Sequence, residues 1–191
     1  MTKRFGIDID GTVTCPTSLI PFINEEFNRS LSLEDLKEYD LTKALPDISP
    51  DTFSDWFLEA EPVIYSSSPV VEHADKILKQ WKTDHELFFI SARNEKHFEL
   101  TTEWFKDKGI NYDHIELIGS HDKVKTAKRY NVDIFFEDKH DNAVMIHEEC
   151  DIPVILFDTP YNREATPEGV IRVQNWLEAK QWVNQWLNKA K

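Results

Sequence analysis

The sequence predicts an α/β fold: a doubly wound parallel sheet with a small helical insertion after the first strand. Three observations predict it. Short apolar runs of strand length alternate with helical patterns from residue 70 onward, the mark of a parallel sheet covered on both faces. The segment from Pro16 to Pro69 breaks that alternation and holds six of the chain's nine prolines. Polar residues of distinct chemistry stand where the predicted strands end, the edge at which open parallel sheets bind ligands.

Taken in order, Phe5-Gly6-Ile7-Asp8-Ile9-Asp10-Gly11-Thr12 reads as a short apolar strand whose end carries two carboxylates and a glycine. In the proline-rich block, Leu19, Ile20, Ile23 and Phe27 recur at helical spacing, as do Phe53, Trp56, Phe57 and Ala60. Ser32-Leu33-Glu34-Asp35 and Ser49-Pro50-Asp51-Thr52 read as helix starts, the second with proline at the first helical position. A helix over 70–82 precedes the strand Leu87–Ile90, and a helix over 94–107 ends at Gly109. Strands at Ile115–Ile118, Val132–Phe136, Val154–Phe157 and Val170–Val173 follow, with helices at Lys123–Tyr130 and Asn142–Glu149 between them. A last helix carries Trp176, Trp182 and Trp186, which pin it to the sheet. The expected organisation is a core of residues 1–15 and 70–191 with residues 16–69 inserted.

At 191 residues the chain accommodates one well-buried domain plus this insertion. Apolar residues at 40% and charged residues at 30% mark a globular chain. The formal charge is −13, and residues 21–70 carry 11 acidic against 3 basic side chains. A field of that sign repels phosphate backbones and anionic lipid, so nucleic-acid polymers and membranes are excluded as partners. Any anionic substrate needs a local cation. No apolar stretch approaches membrane-spanning length, and Met1-Thr2-Lys3-Arg4 leads into strand without a signal-peptide core. Cys15 and Cys150 make no disulfide framework and have no metal-ligand spacing. These features point to a reduced, cytoplasmic protein.

The strand-end residues are Asp8, Asp10 and Thr12, then Ser91-Ala92-Arg93-Asn94, then Glu137-Asp138 with Asp141 close behind; Lys123 opens the helix before the last of these strands. Two carboxylates two residues apart in extended backbone face one side, while Ile7 and Ile9 face the other. Like charges so close raise the cost of ionising both. A divalent cation shared with Asp138 relieves that cost, and three oxygen ligands with room for waters and phosphate suit Mg²⁺. Gly11 lets the backbone turn sharply and approach a ligand.

Asp8-Ile9-Asp10-Gly11-Thr12 resembles the first motif of the haloacid dehalogenase-like phosphohydrolases. Ser91 matches the hydroxyl of the second motif, Lys123 the lysine of the third, and Glu137-Asp138 the acidic fourth. All four stand in the family's order, and the resemblance covers the whole chain. Within that family, an insertion between the first two motifs is a cap. The small helical cap and Phe89-Ile90-Ser91-Ala92-Arg93-Asn94 resemble the 5'(3')-deoxyribonucleotidase-like branch.

The resemblance implies a Mg²⁺-dependent phosphomonoesterase acting on a nucleoside monophosphate. Asp8 is then the nucleophile and Asp10 the general acid and base. Asp8, the main-chain carbonyl of Asp10, and Asp138 hold Mg²⁺. Ser91, Lys123 and backbone N–H groups near Gly11 and Ala92 hold the phosphoryl oxygens. Ser91 stands where many relatives carry threonine. Glu137 replaces aspartate, which suggests a group behind the ligands, and Asp141 is an alternative outer ligand through water. Lys123, at the helix start, is preferred to Lys125 for the phosphate, and Arg93 is a candidate substrate contact or equally a surface or ion-paired arginine. Phe22, Trp56, Phe57 and Tyr65 are read first as packing of a small core, with stacking on a base as the alternative. His121 and His140 read as exposed bystanders. A phosphatase of sugar phosphates and a silent phospho-ligand binder are the rival functions, and the acidic insertion is equally a homodimer surface.

Overall fold

Phe5, Gly6 and Ile7 are fully enclosed in strand β1 (Arg4–Ile7). Gly6 is required by packing: a Cβ there would lie 2.4 Å from Phe135 Cδ2 on the neighbouring strand. The computed structural model describes residues 1–189; residues 190 and 191, part of the expected core segment, lie outside the described residues. Strands β2 (Glu86–Ser91), β3 (His114–Leu117), β4 (Ile134–Glu137), β5 (Val154–Phe157) and β6 (Val170–Val173) join β1 in one sheet of order β3-β2-β1-β4-β5-β6. Every pairing in it is parallel. The chain therefore reverses its direction of growth between β1 and β4, a topological switch point where two strand ends part and leave a crevice.

Helices cover both faces. On one, Ile77, Leu78 and Trp81 of α3 (Ala74–Trp81), Trp104 and Phe105 of α4 (Phe98–Asp107), and Trp176, Ala179 and Val183 of α7 (Trp176–Lys189) pack against Phe5, Ile7, Phe89 and Phe136. On the other, Ala127 of α5 (Val124–Tyr130) and Ala143 and Ile146 of α6 (His140–Cys150) pack against Phe135, Val154 and Leu156. Trp176 anchors the last helix, its indole N–H donating to the Thr12 carbonyl at 3.0 Å. The doubly wound fold class is as the sequence predicts.

The insertion holds α1 (Ile20–Glu26), single 3₁₀ turns at Leu33–Asp35 and Leu41–Lys43, and α2 (Pro50–Ser67). The Ser49 hydroxyl accepts from the Thr52 N–H at 3.1 Å, and Pro50 fills the first turn of α2, the start its sequence predicts. Ile23, Leu45 and Phe53 form a separate small core with Phe27, Trp56 and Phe57. An antiparallel bridge between Thr14 and Val70 closes the base of the insertion. The last turns of α2 are fixed to the sheet side: Trp104 donates to the Ser68 carbonyl at 2.9 Å, and His97 meets Glu61 at 2.8 Å.

Of the element boundaries that differ from expectation, two bear on the site. β1 stops at Ile7 rather than running to Thr12, because Gly11 takes φ +77° and the Val13 and Thr14 N–H groups both turn back to the Ile9 carbonyl. α3 begins at Ala74 rather than Val70, because Val71 donates to Val13 and Cys15 donates to Pro69 across the bridge.

Candidate active site

Although β1 ends at Ile7, the Asp8 N–H still donates to the Phe136 carbonyl at 2.9 Å, so Asp8 is held in register beside β4. Ile7 and Ile9 enter the core, and Asp8 and Asp10 line a cavity at the carboxyl edge of the sheet. β4 ends in Glu137, with Asp138 next in the chain. The switch point thus brings Asp8, Glu137 and Asp138 together, one oxygen from each lying within 4.8 Å of the others. All three are buried.

Lys123, the residue before α5, is buried with them. Its Nζ lies 2.6 Å from Asp8 Oδ1 and donates to Glu137 Oε1 and Oε2 at 3.1 and 3.3 Å. Asn142 also donates to Glu137 Oε1 (2.5 Å), and the Asp138 N–H to Oε2 (3.2 Å). Both oxygens of Glu137 are therefore engaged in fixing Lys123, which suits a residue behind the ligand set. Three carboxylates share one buried ammonium. Burial, with Glu137, Asp138 and Asp10 adding repulsion, raises the Asp8 carboxyl well above its ordinary range despite Lys123. Burial and then Glu137 push Asp138 up to about 7, against the pull of Tyr161 and Lys123. Burial would lower Lys123, but Asp8 and Glu137 outweigh it and the net shift is upward.

Gly11 makes this closeness possible: a Cβ on it would lie 2.2 Å from Asp138 Oδ2. The Tyr161 hydroxyl donates to the same oxygen at 2.5 Å, and Asn162 donates to the Asp138 carbonyl at 2.6 Å. Ser91, buried at the end of β2, lines the cavity with Ala92 and Gly11, and its hydroxyl accepts from the Arg93 N–H at 3.2 Å. Asn94, not Ser91, caps the following turn, its side chain accepting from the Lys96 N–H.

The structure places the residues whose roles the sequence leaves open. Arg93 is ion-paired: its guanidinium grips Asp10, Nε to Oδ2 at 2.8 Å and a terminal nitrogen to Oδ1 at 2.7 Å. Asp141 stays outside the carboxylate cluster, its side chain 80% exposed beside His140. Lys125 is exposed, so Lys123 is the lysine at the site. Phe22 and Trp56 do not line the cavity; Trp56 packs on Phe27 and Phe53 inside the insertion. His121 is exposed, as expected, and lines the cavity with its ring edge-on to Tyr39 at 5.5 Å. His140 accepts from or donates to nothing in the cavity and contacts the Ala165 carbonyl.

The cavity measures about 670 Å³. It is lined by the carboxylate cluster and by residues of the insertion: Tyr39, Phe53, Phe57 and Tyr65 with Leu36, Leu41 and Ile64. Tyr39 and Tyr161 carry no sequence expectation, and Phe53 reads only as part of a helical pattern. Tyr161 follows the carboxyl end of β5, so the strand-end rule that found Asp138 also reaches it. Tyr39 lies in an irregular stretch between two 3₁₀ turns and carries no such signal.

A family model described as 5' nucleotidase, deoxy (pyrimidine), cytosolic type C protein matches residues 4–190. The chain belongs to this nucleotidase family. It is 48% identical to "Putative nucleotidase BH1399" of Halalkalibacterium halodurans over 98% of this chain and 96% of that protein. Among solved structures it is similar to the haloacid dehalogenase-like hydrolase SP0104 of Streptococcus pneumoniae, with TM-score 0.68 and 12% identity over 95% and 98% of the two chains. YfnB of Bacillus subtilis, described as a "putative HAD-hydrolase" bound to magnesium, has the same fold: TM-score 0.64, 10% identity, 96% and 99% covered. The nucleotidase-family chain is thus a phosphoric monoester hydrolase on a haloacid dehalogenase-like fold. Among its described residues, no helix is long and apolar enough to cross a membrane.

Proposed function

We propose that this chain is a Mg²⁺-dependent 5'-nucleotidase or deoxyribonucleotidase, cleaving nucleoside monophosphates through a phosphorylated Asp8. The observation that carries the reading is the position of Asp8: buried, paired with Lys123, and lining a cavity that aromatic residues of the insertion also line. Phosphate bound beside Asp8 leaves space for a nucleoside against Tyr39, Phe53, Phe57 and Tyr65. Residues 16–69 are read as a cap over the core of 1–15 and 70–191, and the cytoplasm as the working compartment, in line with a family described as cytosolic.

The donor set fits Mg²⁺. Three clustered carboxylates face one ammonium, two of them have raised affinities for protons, and a glycine leaves the space beside Asp138 that a Cβ would fill. Asp8, the Asp10 carbonyl and Asp138 would hold the ion, all oxygen donors. Mg²⁺ bound there supplies positive charge that draws the phosphate toward the carboxylates and offsets charge developing on it.

The chemistry then falls to the chain's own residues. An Asp8 oxygen attacks phosphorus and the P–O bond to the nucleoside breaks. The departing alkoxide takes the proton of the Asp10 carboxyl and leaves as an alcohol. Lys123, the Ser91 hydroxyl and the N–H groups near Gly11 and Ala92 hold the phosphoryl oxygens. Water next attacks the phosphorus of phospho-Asp8 and gives a proton to Asp10. Inorganic phosphate departs, with Asp8 again a carboxylate and Asp10 again protonated.

The test is phosphate release from a panel of nucleotides and sugar phosphates, with Mg²⁺ or EDTA, for wild type and Asp8→Asn. Metal-dependent turnover of nucleoside monophosphates that vanishes in the variant is the expected result. Turnover of sugar phosphates alone would overturn the nucleotide reading and keep the mechanism.

A further inference from the structure

The two carboxylates that flank Ile9 meet different buried cations. Asp8 has Lys123, which also belongs with the phosphate. Asp10 has Arg93, and nothing in the chemistry above uses Arg93. Its side chain is fully enclosed, whereas that of Asp10 is 41% exposed and lines the cavity. The guanidinium therefore stands behind the carboxylate and the free edge of the carboxylate faces the cavity. Such a fork engages two oxygens in parallel and fixes the plane of the group, which a lysine cannot do.

The fork is itself immobilised. A further nitrogen of Arg93 donates to the hydroxyl of Thr101 in α4 at 3.1 Å. One face of the guanidinium lies 4.0 Å from the centroid of the Tyr65 ring. Arg93 borders the cavity, but its side chain has no exposed surface and its guanidinium is engaged by Asp10, Thr101 and Tyr65 in this arrangement. An ionised carboxylate offers about four lone-pair sites and the fork occupies two, so Asp10 can still take a proton on the cavity side and, once protonated there, give it up.

We infer that Arg93 is the positioning residue for Asp10, setting where its carboxyl meets the leaving oxygen. The inference rests on the reading of Asp10 as the general acid. It predicts a dependence on the leaving group. A nucleoside alkoxide needs Asp10's proton to depart; p-nitrophenolate leaves without one. The measured quantity is kcat/KM, which ends with departure of the leaving group and so excludes the later hydrolysis of phospho-Asp8.

Arg93→Met and Arg93→Lys would be compared with wild type on a nucleoside monophosphate and on p-nitrophenyl phosphate, at saturating Mg²⁺. For Arg93→Met, kcat/KM on the nucleotide should fall on the order of a hundredfold and on the aryl ester by about threefold or less, the size of a lost general acid. Arg93→Lys should keep the same inequality with a smaller loss, and it carries the test if the Met variant does not fold. Equal losses on both esters, or none, would overturn the inference. If wild type cleaves sugar phosphates and not nucleotides, the nucleotide reading fails, and a sugar phosphate replaces the nucleotide in the same comparison. If wild type cleaves no phosphomonoester, Asp10 is no general acid and both readings fall.

Discussion

The Lys123 ammonium lies 2.6 Å from Asp8 Oδ1, with both side chains almost wholly out of solvent. It also bonds Glu137, the fully buried end of a central strand. One cation thus makes two buried carboxylates tolerable, and removing one member of such a set leaves an uncompensated charge. Lys123→Met should destabilise the fold by about 3–5 kcal/mol, the usual cost of breaking a buried ion pair. Adding Glu137→Gln should restore much of that stability while turnover stays lost, since the phosphate still lacks its cation. Denaturant midpoints and phosphate release on the single and double variants check this. A double variant as unstable as the single would place the cost elsewhere, and an active Lys123→Met would remove Lys123 from phosphate binding.

The remaining charge imbalance gives the protein a signature in pH. Burial and Glu137 lift Asp138 to about 7, and burial lifts Asp8 as well, so the folded metal-free chain holds protons that the unfolded chain has released. Where the native state binds more protons, stability falls as pH rises. Metal-free stability should therefore decline from the ordinary carboxylate range up to about pH 7. Mg²⁺ competes with those protons, so its stabilising effect should be smallest at the acid end and largest above about pH 7. Melting temperatures with Mg²⁺ and with EDTA, taken across that range, measure both trends. A Mg²⁺ increment that does not change with pH would detach the ion from these carboxylates.

Asp8, Ser91, Lys123 and Asp138 were legible because each stands at a strand end or helix start, and parallel strands deliver such residues to one edge whatever the details of packing. The same regularity made the strands at Val154–Phe157 and Val170–Val173 readable to the residue. Arg93 shows the limit. A charged residue past a strand end points to the site, but whether it meets a ligand or the carboxylate of Asp10, 83 positions away, is settled by side-chain packing. Tyr39 and His121 were illegible for a further reason. Their rings meet at 5.5 Å from two irregular segments, and no period or cap in either segment predicts the pairing.

The aromatic lining separates a nucleotide from a smaller phosphate ester. Phe57 lines the cavity while its ring stacks on Phe53 at 6.3 Å, so it can offer a face to a base without moving the carboxylate cluster. Stacking of a base on an aromatic side chain is worth about 1–3 kcal/mol. Phe57→Ala should accordingly raise KM for a nucleoside monophosphate by about tenfold or more, with kcat little changed, because the lost contact is the same in ground and transition states. Inhibition by inorganic phosphate, which touches only the phosphate-binding groups, should be unchanged and reports that those groups are intact. If KM for the nucleotide and inhibition by phosphate weaken together, the insertion has shifted as a whole. If neither moves, the base does not lie on Phe57, and the substrate is one whose leaving group ends short of that ring.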